Sequence, residues 1–247
     1  MNRMILAMAA AVVMTMGGAV AANAEIANGN AAEAAVMNVE GTKKVSRQIV
    51  VPYFSNIKIV GSTDVVFKQT NGGKPKLTVV GYKEDVDRMK ISSDGKTLTV
   101  AEQPNRGGWS FFSGGDGVTV YVYAPDLTGV SITGSGDFDA EGKIDTDKLS
   151  VNVKGSGDVE MKNVICDDAH IDVYGSGDVE IKNLVAQRSA EINVKGSGDV
   201  EIGFTRTGNV SCLLNGSGDV KLKGDVKSLR KKQNGSGDID TSKLKRW

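Results

Sequence analysis

The sequence predicts an all-β protein: a β-helix, or β-solenoid, with Gly-Ser-Gly-Asp corners, preceded by a hairpin-rich β segment. Three observations lead there. The tetrapeptide occurs six times, starting at Gly134, Gly155, Gly175, Gly196, Gly216 and Gly235, with a period of 19 to 21 residues. A period that regular marks a stacked repeat architecture. The residues before each corner alternate apolar and polar, as in Val151-Asn152-Val153, Ile171-Asp172-Val173 and Ile192-Asn193-Val194. The alternation resumes in the same phase after each corner, with Val159 and Met161, Val179 and Ile181, Val200 and Ile202, Val220 and Leu222. That is the pattern of half-buried strands.

Two Gly flanking one Ser allow a corner closed to residues with a Cβ, and the Asp carboxylate can accept from turn N–H groups. Each repeat then reads as strand, tight corner, strand and a shorter third side. A unit of about 20 residues cannot bury a core alone, so the units must stack, each strand beside its equivalent in the next coil. Six coils at about 4.8 Å each make a column about 29 Å tall. A meander of hairpins would make alternate strands antiparallel and lose the register of equivalent residues. The uniform phase of the copies favours the solenoid, with Val151, Ile171, Ile192 and Val194 in its core.

Taken in order, residues 1–24 read as a signal peptide: Arg3 opens it, an apolar run from Met4 to Val20 follows, and Ala22-Asn23-Ala24 closes it. The run is too short and too rich in Ala, Gly and Met for a membrane span. The mature chain is therefore expected to begin at Glu25, to lack a transmembrane segment, and to be periplasmic, extracellular or at the cell surface. The sequence has 30 basic and 30 acidic residues. Removing the leader takes away Arg3 alone, leaving 29 against 30, and no strong field points to nucleic acid or an anionic membrane.

Residues 25–44 read as a flexible lead, compatible with a short helix over 31–39. Residues 45–130 form the N-terminal β segment, with strands expected at 47–51, 56–60, 64–69, 76–80, 89–92, 97–102 and 117–123. Asn71-Gly72-Gly73 and Asp94-Gly95 are hairpin signals. Gly61-Ser62-Thr63-Asp64 is a degenerate first corner, flanked by Ile57, Ile59, Val65 and Phe67 in the phase of the later copies. Between residues 104 and 117 a Gly-rich segment carries Trp109, Phe111 and Phe112. These are the candidate ligand-binding residues, able to stack on a sugar ring or insert into a partner. The alternative, which exposed apolar cost favours, is that they fold back over the solenoid.

Residues 131–247 are the GSGD-repeat solenoid. Its last corner follows Leu229-Arg230-Lys231-Lys232-Gln233, which puts Lys231 and Gln233 at positions that are inward elsewhere. A polar terminal repeat is expected, because charge blocks an open sheet edge, and this cluster reads as a cap. A basic patch extended by Lys243, Lys245 and Arg246 is the sharper alternative. Cys166 and Cys212 lie 46 residues apart, or roughly 11 Å along the axis, beyond the ~7 Å reach of a disulfide. Cys212 reads as a small buried hydrophobe and Cys166 as a loop or core thiol.

Chemistry is thin. His170 is the sole histidine and sits at an outward position, so a catalytic triad or multi-histidine metal site is not expected. No cofactor motif occurs. Asp139, Glu160, Glu180 and Glu201 line one face, but Lys162 and Lys182 alternate with them, as on a solvated, charge-balanced face. The corner aspartates Asp137, Asp158, Asp178, Asp199, Asp219 and Asp238 stack like charges, which either a cation ladder or hydrogen bonding must offset. Calcium-loaded β-rolls repeat about every nine residues and bring two turns to each ion. One carboxylate per 20 residues fits hydrogen bonding instead, and no metal is expected.

Arg47, Phe54-Ser55-Asn56-Ile57, Val60 through Val65, Val120-Tyr121-Val122, Pro125-Asp126-Leu127 and the GSGD ladder together resemble the GIN-domain head family of autotransporter adhesins. The resemblance covers residues 45–240. It implies a right-handed β-helix in an exported bacterial protein and brings no catalytic residues. Only seven residues follow Asp240, so no translocator barrel is expected. The expected function is a noncatalytic, adhesin-like binding module presenting a solenoid surface to glycan or an envelope protein. A periplasmic envelope scaffold and a β-helical carbohydrate-active enzyme are the alternatives.

Overall fold

A computed structural model of the chain describes residues 34–35, 44–103 and 117–247. Among these residues are sixteen strands, most of them with alternating apolar positions, and one short helix. The N-terminal strands are β1 (Ala34–Ala35), β2 (Lys44–Ile49), β3 (Asn56–Gly61), β4 (Asp64–Gln69) and β5 (Lys76–Tyr82). Helix α1 (Lys83–Arg88), β6 (Met89–Ser93), β7 (Thr97–Glu102), β8 (Thr119–Ala124), β9 (Gly129–Gly134), β10 (Phe138–Asp145) and β11 (Lys148–Gly155) follow. Long bent strands complete the chain: β12 (Val159–Gly175), β13 (Val179–Gly196), β14 (Val200–Gly216), β15 (Val220–Gly235) and the shorter β16 (Ile239–Arg246). All sixteen belong to one sheet that winds as a solenoid.

The repeat sets the register. Gly61 pairs with Gly134, Gly134 with Gly155, Gly155 with Gly175, Gly175 with Gly196, Gly196 with Gly216 and Gly216 with Gly235, always between parallel strands. The degenerate corner at Gly61 is thus the first member of the stack. Each of these glycines has a positive φ, between 112° and 156°, a region that L side chains rarely adopt. Contact between coils adds a second requirement: a Cβ on Gly175 would lie 2.2 Å from the Gly155 carbonyl oxygen. That carbonyl accepts from Ser176 N–H at 2.8 Å and Gly177 N–H at 3.2 Å.

Burial shows three inward runs per coil. In β12 these are Val159 and Met161, then Val164 and Cys166, then Ala169, Ile171 and Val173, all buried. Alternation breaks at Lys162-Asn163 and at Asp167-Asp168, so the chain turns twice more besides the glycine corner. Val151, Ile171, Ile192 and Val194 are fully buried. At the N-terminal end the core thickens, with Phe67 and Phe138 stacked at 6.3 Å between centroids. Thr207 is a polar residue inside, and its hydroxyl donates to the Leu184 carbonyl at 2.9 Å while accepting from Ala186 N–H at 3.2 Å. Cys166 and Cys212 are free and buried. Burial pushes both thiols up to about 12.

Three expectations need correction. Asn71-Gly72-Gly73 does not join neighbouring strands: β8 lies between β4 and β5, parallel to the first and antiparallel to the second. The physical reason is core continuity, since Val120 and Val122 of β8 extend the inward layer of Val65 and Phe67. Ala34–Ala35 is extended rather than helical and pairs antiparallel with β2, where it covers that strand's outer edge. The charged segment Lys83–Arg88 forms a helix that strand periodicity does not reveal. Buried Val86 anchors it, and Asp87 accepts from Arg47 and from Lys83. The Asp94-Gly95 turn does close a hairpin between β6 and β7, with Asp94 Oδ1 accepting from Thr97 N–H at 2.7 Å. The proposed leader lies outside the described residues.

Candidate binding face

The third run of each coil, ending at the glycine corner, is the longest, and its outward residues stack in three columns. The column next to the corner runs Val60, Thr133, Lys154, Tyr174, Lys195, Asn215, Asn234. The second runs Lys58, Ser131, Asn152, Asp172, Asn193, Leu213, Lys232, and the third carries Ser150, His170, Glu191, Ser211 and Arg230. The parallel register that fixes the core also fixes this surface, because one residue of slip would exchange inward and outward positions.

Side chains on this face bond to one another. His170 Nε2 lies 2.9 Å from Asp172 Oδ2 and its Nδ1 lies 3.4 Å from Glu191 Oε2. Asn193 Nδ2 donates to Asp172 Oδ1 at 3.1 Å and to Glu191 Oε1 at 3.3 Å. Asn234 donates to Asn215 at 2.6 Å. Beside this network Tyr174 sits between two lysines, with Lys154 Nζ 5.9 Å and Lys195 Nζ 5.2 Å from its ring centroid. Both ammonium groups are within cation–π range.

Past the corner the surface is acidic. Asp139, Glu160, Glu180 and Glu201 form one column. Lys182 pairs with Glu160 at 2.6 Å and Lys223 with Glu201 at 2.7 Å. The Asp139 Oδ1 is buried and has no hydrogen-bond partner, and burial, then the Glu160 charge, pushes its carboxyl up. A groove of about 300 Å³ at the C-terminal end is lined by Asp199, Glu201, Asp219, Lys221, Asp238 and Asp240 among others.

The corner aspartates join into a single ladder beginning at Asp64. Each carboxylate Oδ1 accepts from the N–H of the next corner's aspartate: Asp64 from Asp137 at 3.1 Å, Asp137 from Asp158 at 2.9 Å, Asp158 from Asp178 at 2.8 Å. Asp178 accepts from Asp199 and Asp199 from Asp219, both at 2.7 Å, and Asp219 accepts from Asp238 at 2.9 Å. Burial pushes the carboxyls of Asp64, Asp158 and Asp178 up, opposed by these N–H donors. Among the described residues no group of three His, Cys, Asp or Glu is placed to hold a metal ion.

Trp109, Phe111 and Phe112 lie outside the described residues. Sequence reasoning passed over Tyr174 and its flanking lysines. The signal was available: reading the residue before each GSGD down the repeats places Lys154, Tyr174 and Lys195 in adjacent coils.

No helix among the described residues is long and apolar enough to cross a membrane. No curated protein matches the sequence significantly. The fold is shared with a "putative adhesin" from Bacteroides fragilis, at TM-score 0.64 and 22% identity, covering 80% of this chain and 96% of that one. It is also shared with a "putative adhesin" from Parabacteroides distasonis, at TM-score 0.60 and 15% identity, covering 81% and 97%. A "putative lipid binding protein" from the same species aligns at TM-score 0.52 and 23% identity, covering 81% and 96%. The family model described as "Putative auto-transporter adhesin, head GIN domain" matches residues 53–182 and 169–246. With both stretches falling on the corner repeat and together spanning most of the sequence, the chain belongs to the head GIN-domain family.

Proposed function

We propose that the chain is an exported, noncatalytic binding module that presents the long outward face of its solenoid to glycan or protein. One observation carries this reading: the face is a register-locked array of polar and charged side chains around Tyr174, built on a rigid sheet. Rigid presentation limits the ordering cost of binding. Export rests on the leader read from residues 1–24. The adhesin descriptions of the relatives agree with a binding role, and the histidine on this face is tied to two carboxylates.

A glycan array probed with the purified protein tests the proposal. Binding that is weakened in an Asn152→Ala/Asn193→Ala variant, and retained in a Trp109→Ala variant, is the expected result. Loss on Trp109→Ala alone would move the site to the aromatic segment, and turnover of a bound polysaccharide would restore the enzyme alternative.

A further inference from the structure

We infer that the long face takes an acidic polysaccharide, with Lys154, Tyr174 and Lys195 forming its central anion-binding notch. This deepens the binding-module reading and rests on it.

The first support is the geometry of Tyr174. Its ring carries one ammonium group at 5.9 Å and another at 5.2 Å, contributed by the coils on either side. A neutral sugar would need an open aromatic face on which to lie, and the lysines take up that position. The ring instead restrains two flexible lysines that would otherwise sample many rotamers. Each ammonium group can donate to a carboxylate or sulfate ester, with the Tyr174 hydroxyl as a further donor between the two.

The second support is how charge is divided. Asp172 and Glu191, the acids of these columns, are both engaged by His170 and Asn193. Lys58, Lys154, Lys195, Arg230 and Lys232 are exposed and, among the described residues, make no ion pair. In a chain with a formal net charge of zero, cations therefore outnumber acids in these columns, while the corner ridge is lined with carboxylates.

The third support is spacing. Coils repeat at about 4.8 Å, so Lys154 and Lys195 are about 10 Å apart along the stack, with Lys58 and Lys232 towards its two ends. A linear polymer bearing charge at intervals can meet several of these cations at once, and a compact anion cannot. Asn152, Asn193, Asn215 and Ser131 lie between them in the columns, offering donors and acceptors to hydroxyl groups. Single-stranded nucleic acid would seek open aromatic faces for its bases, which Tyr174 does not offer.

The test uses the whole exported chain and polymers coupled to a sensor surface: polygalacturonate for carboxylates, dextran sulfate for sulfate esters, and neutral dextran, each at 50 and 500 mM NaCl. Binding to at least one polyanion and not to dextran is expected, weakened at least tenfold by the higher salt. Lys154→Gln/Lys195→Gln should weaken it at least tenfold with the melting temperature unchanged, and Tyr174→Leu should weaken it by releasing the lysines. Preference between the two polyanions identifies the anionic group. Equal binding by the double variant, preference for dextran, or tighter binding to single-stranded DNA or anionic vesicles would overturn the inference. If neither polyanion binds but the glycan array or a protein ligand does, the inference fails and the binding-module reading stands. If nothing binds in either experiment, both fail.

Discussion

Ile192 shows how a single residue serves the stack. It is fully buried and pairs in register with Ile171 on one side and Cys212 on the other. Truncation opens a cavity that both neighbouring coils line, and a regular ladder has little freedom to collapse into it. Ile192→Ala is expected to cost about 2 to 5 kcal/mol, measured by urea denaturation. A midpoint equal to that of the parent would show that the inward phase assigned to this strand is wrong. Asp178 serves the stack from outside the core, by accepting from Asp199 N–H at 2.7 Å.

Charge and hydrogen bonding at Asp178 act in opposite directions and can be separated. Burial, then the neighbouring aspartates, raise its folded pKa above the ordinary carboxylate value. Folding therefore favours the protonated carboxyl. The stability linked to this group is fully present below the ordinary carboxylate pKa and is lost as pH rises through the raised value. Asp178→Asn keeps an acceptor oxygen and removes the charge, so it should raise the melting temperature at pH 7 by about 1 to 2 °C and lose that advantage at pH 3. Asp178→Ala removes the acceptor and should cost about 1 kcal/mol. If Asn proved as damaging as Ala at pH 7, the ladder would need the charge itself, and a bound cation would become the better account.

At the scale of the element, the corner is where sequence and structure meet most directly. Gly177 does not need a positive φ; its requirement is contact, since a Cβ there would lie 2.2 Å from the Gly157 carbonyl oxygen and 2.9 Å from Val153 Cγ1. Gly177→Ala would push two coils apart and is expected to cost about 1 to 3 kcal/mol or more, read by thermal denaturation. Equal stability would mean that neighbouring coils yield more readily than their register implies. These corners were legible because each copy repeats the same local demand. The pairing of β5 with β8 was not, because Leu77 and Val122 are distant in sequence and neither turn chemistry nor alternation names a partner. Helix α1 was missed for a related reason, since six residues with one buried valine carry too short a period to read. The face around Tyr174 was legible only down the repeats, because each residue is an ordinary outward position until its neighbours in adjacent coils are placed beside it.

For the whole molecule, the decisive problem of a solenoid is its ends. The second half of β15, Ser228 to Gly235, pairs with β14 on one side, while β16 covers only the first half of β15. An exposed edge of this kind invites pairing with another chain unless charge obstructs it. Lys231 and Gln233 occupy the positions that Cys212 and Leu214 fill in the coil before. Lys231 Nζ donates to the Ile239 carbonyl at 2.9 Å, and Gln233 Nε2 donates to the Gly237 carbonyl. These side chains close the end with polar groups tied back to backbone. Replacing them with the residues of an interior coil, Lys231→Val/Gln233→Leu, should leave the lone molecule folded while turning its end into an apolar, strand-ready surface. Light scattering across a concentration series is expected to show the parent at one mass and the variant growing with concentration, with unchanged far-ultraviolet circular dichroism at the lowest concentration. A variant that kept the parent's mass throughout would show that the strand edge is protected by something other than these two side chains, with Arg230 and Lys232 beside it as the next residues to neutralise.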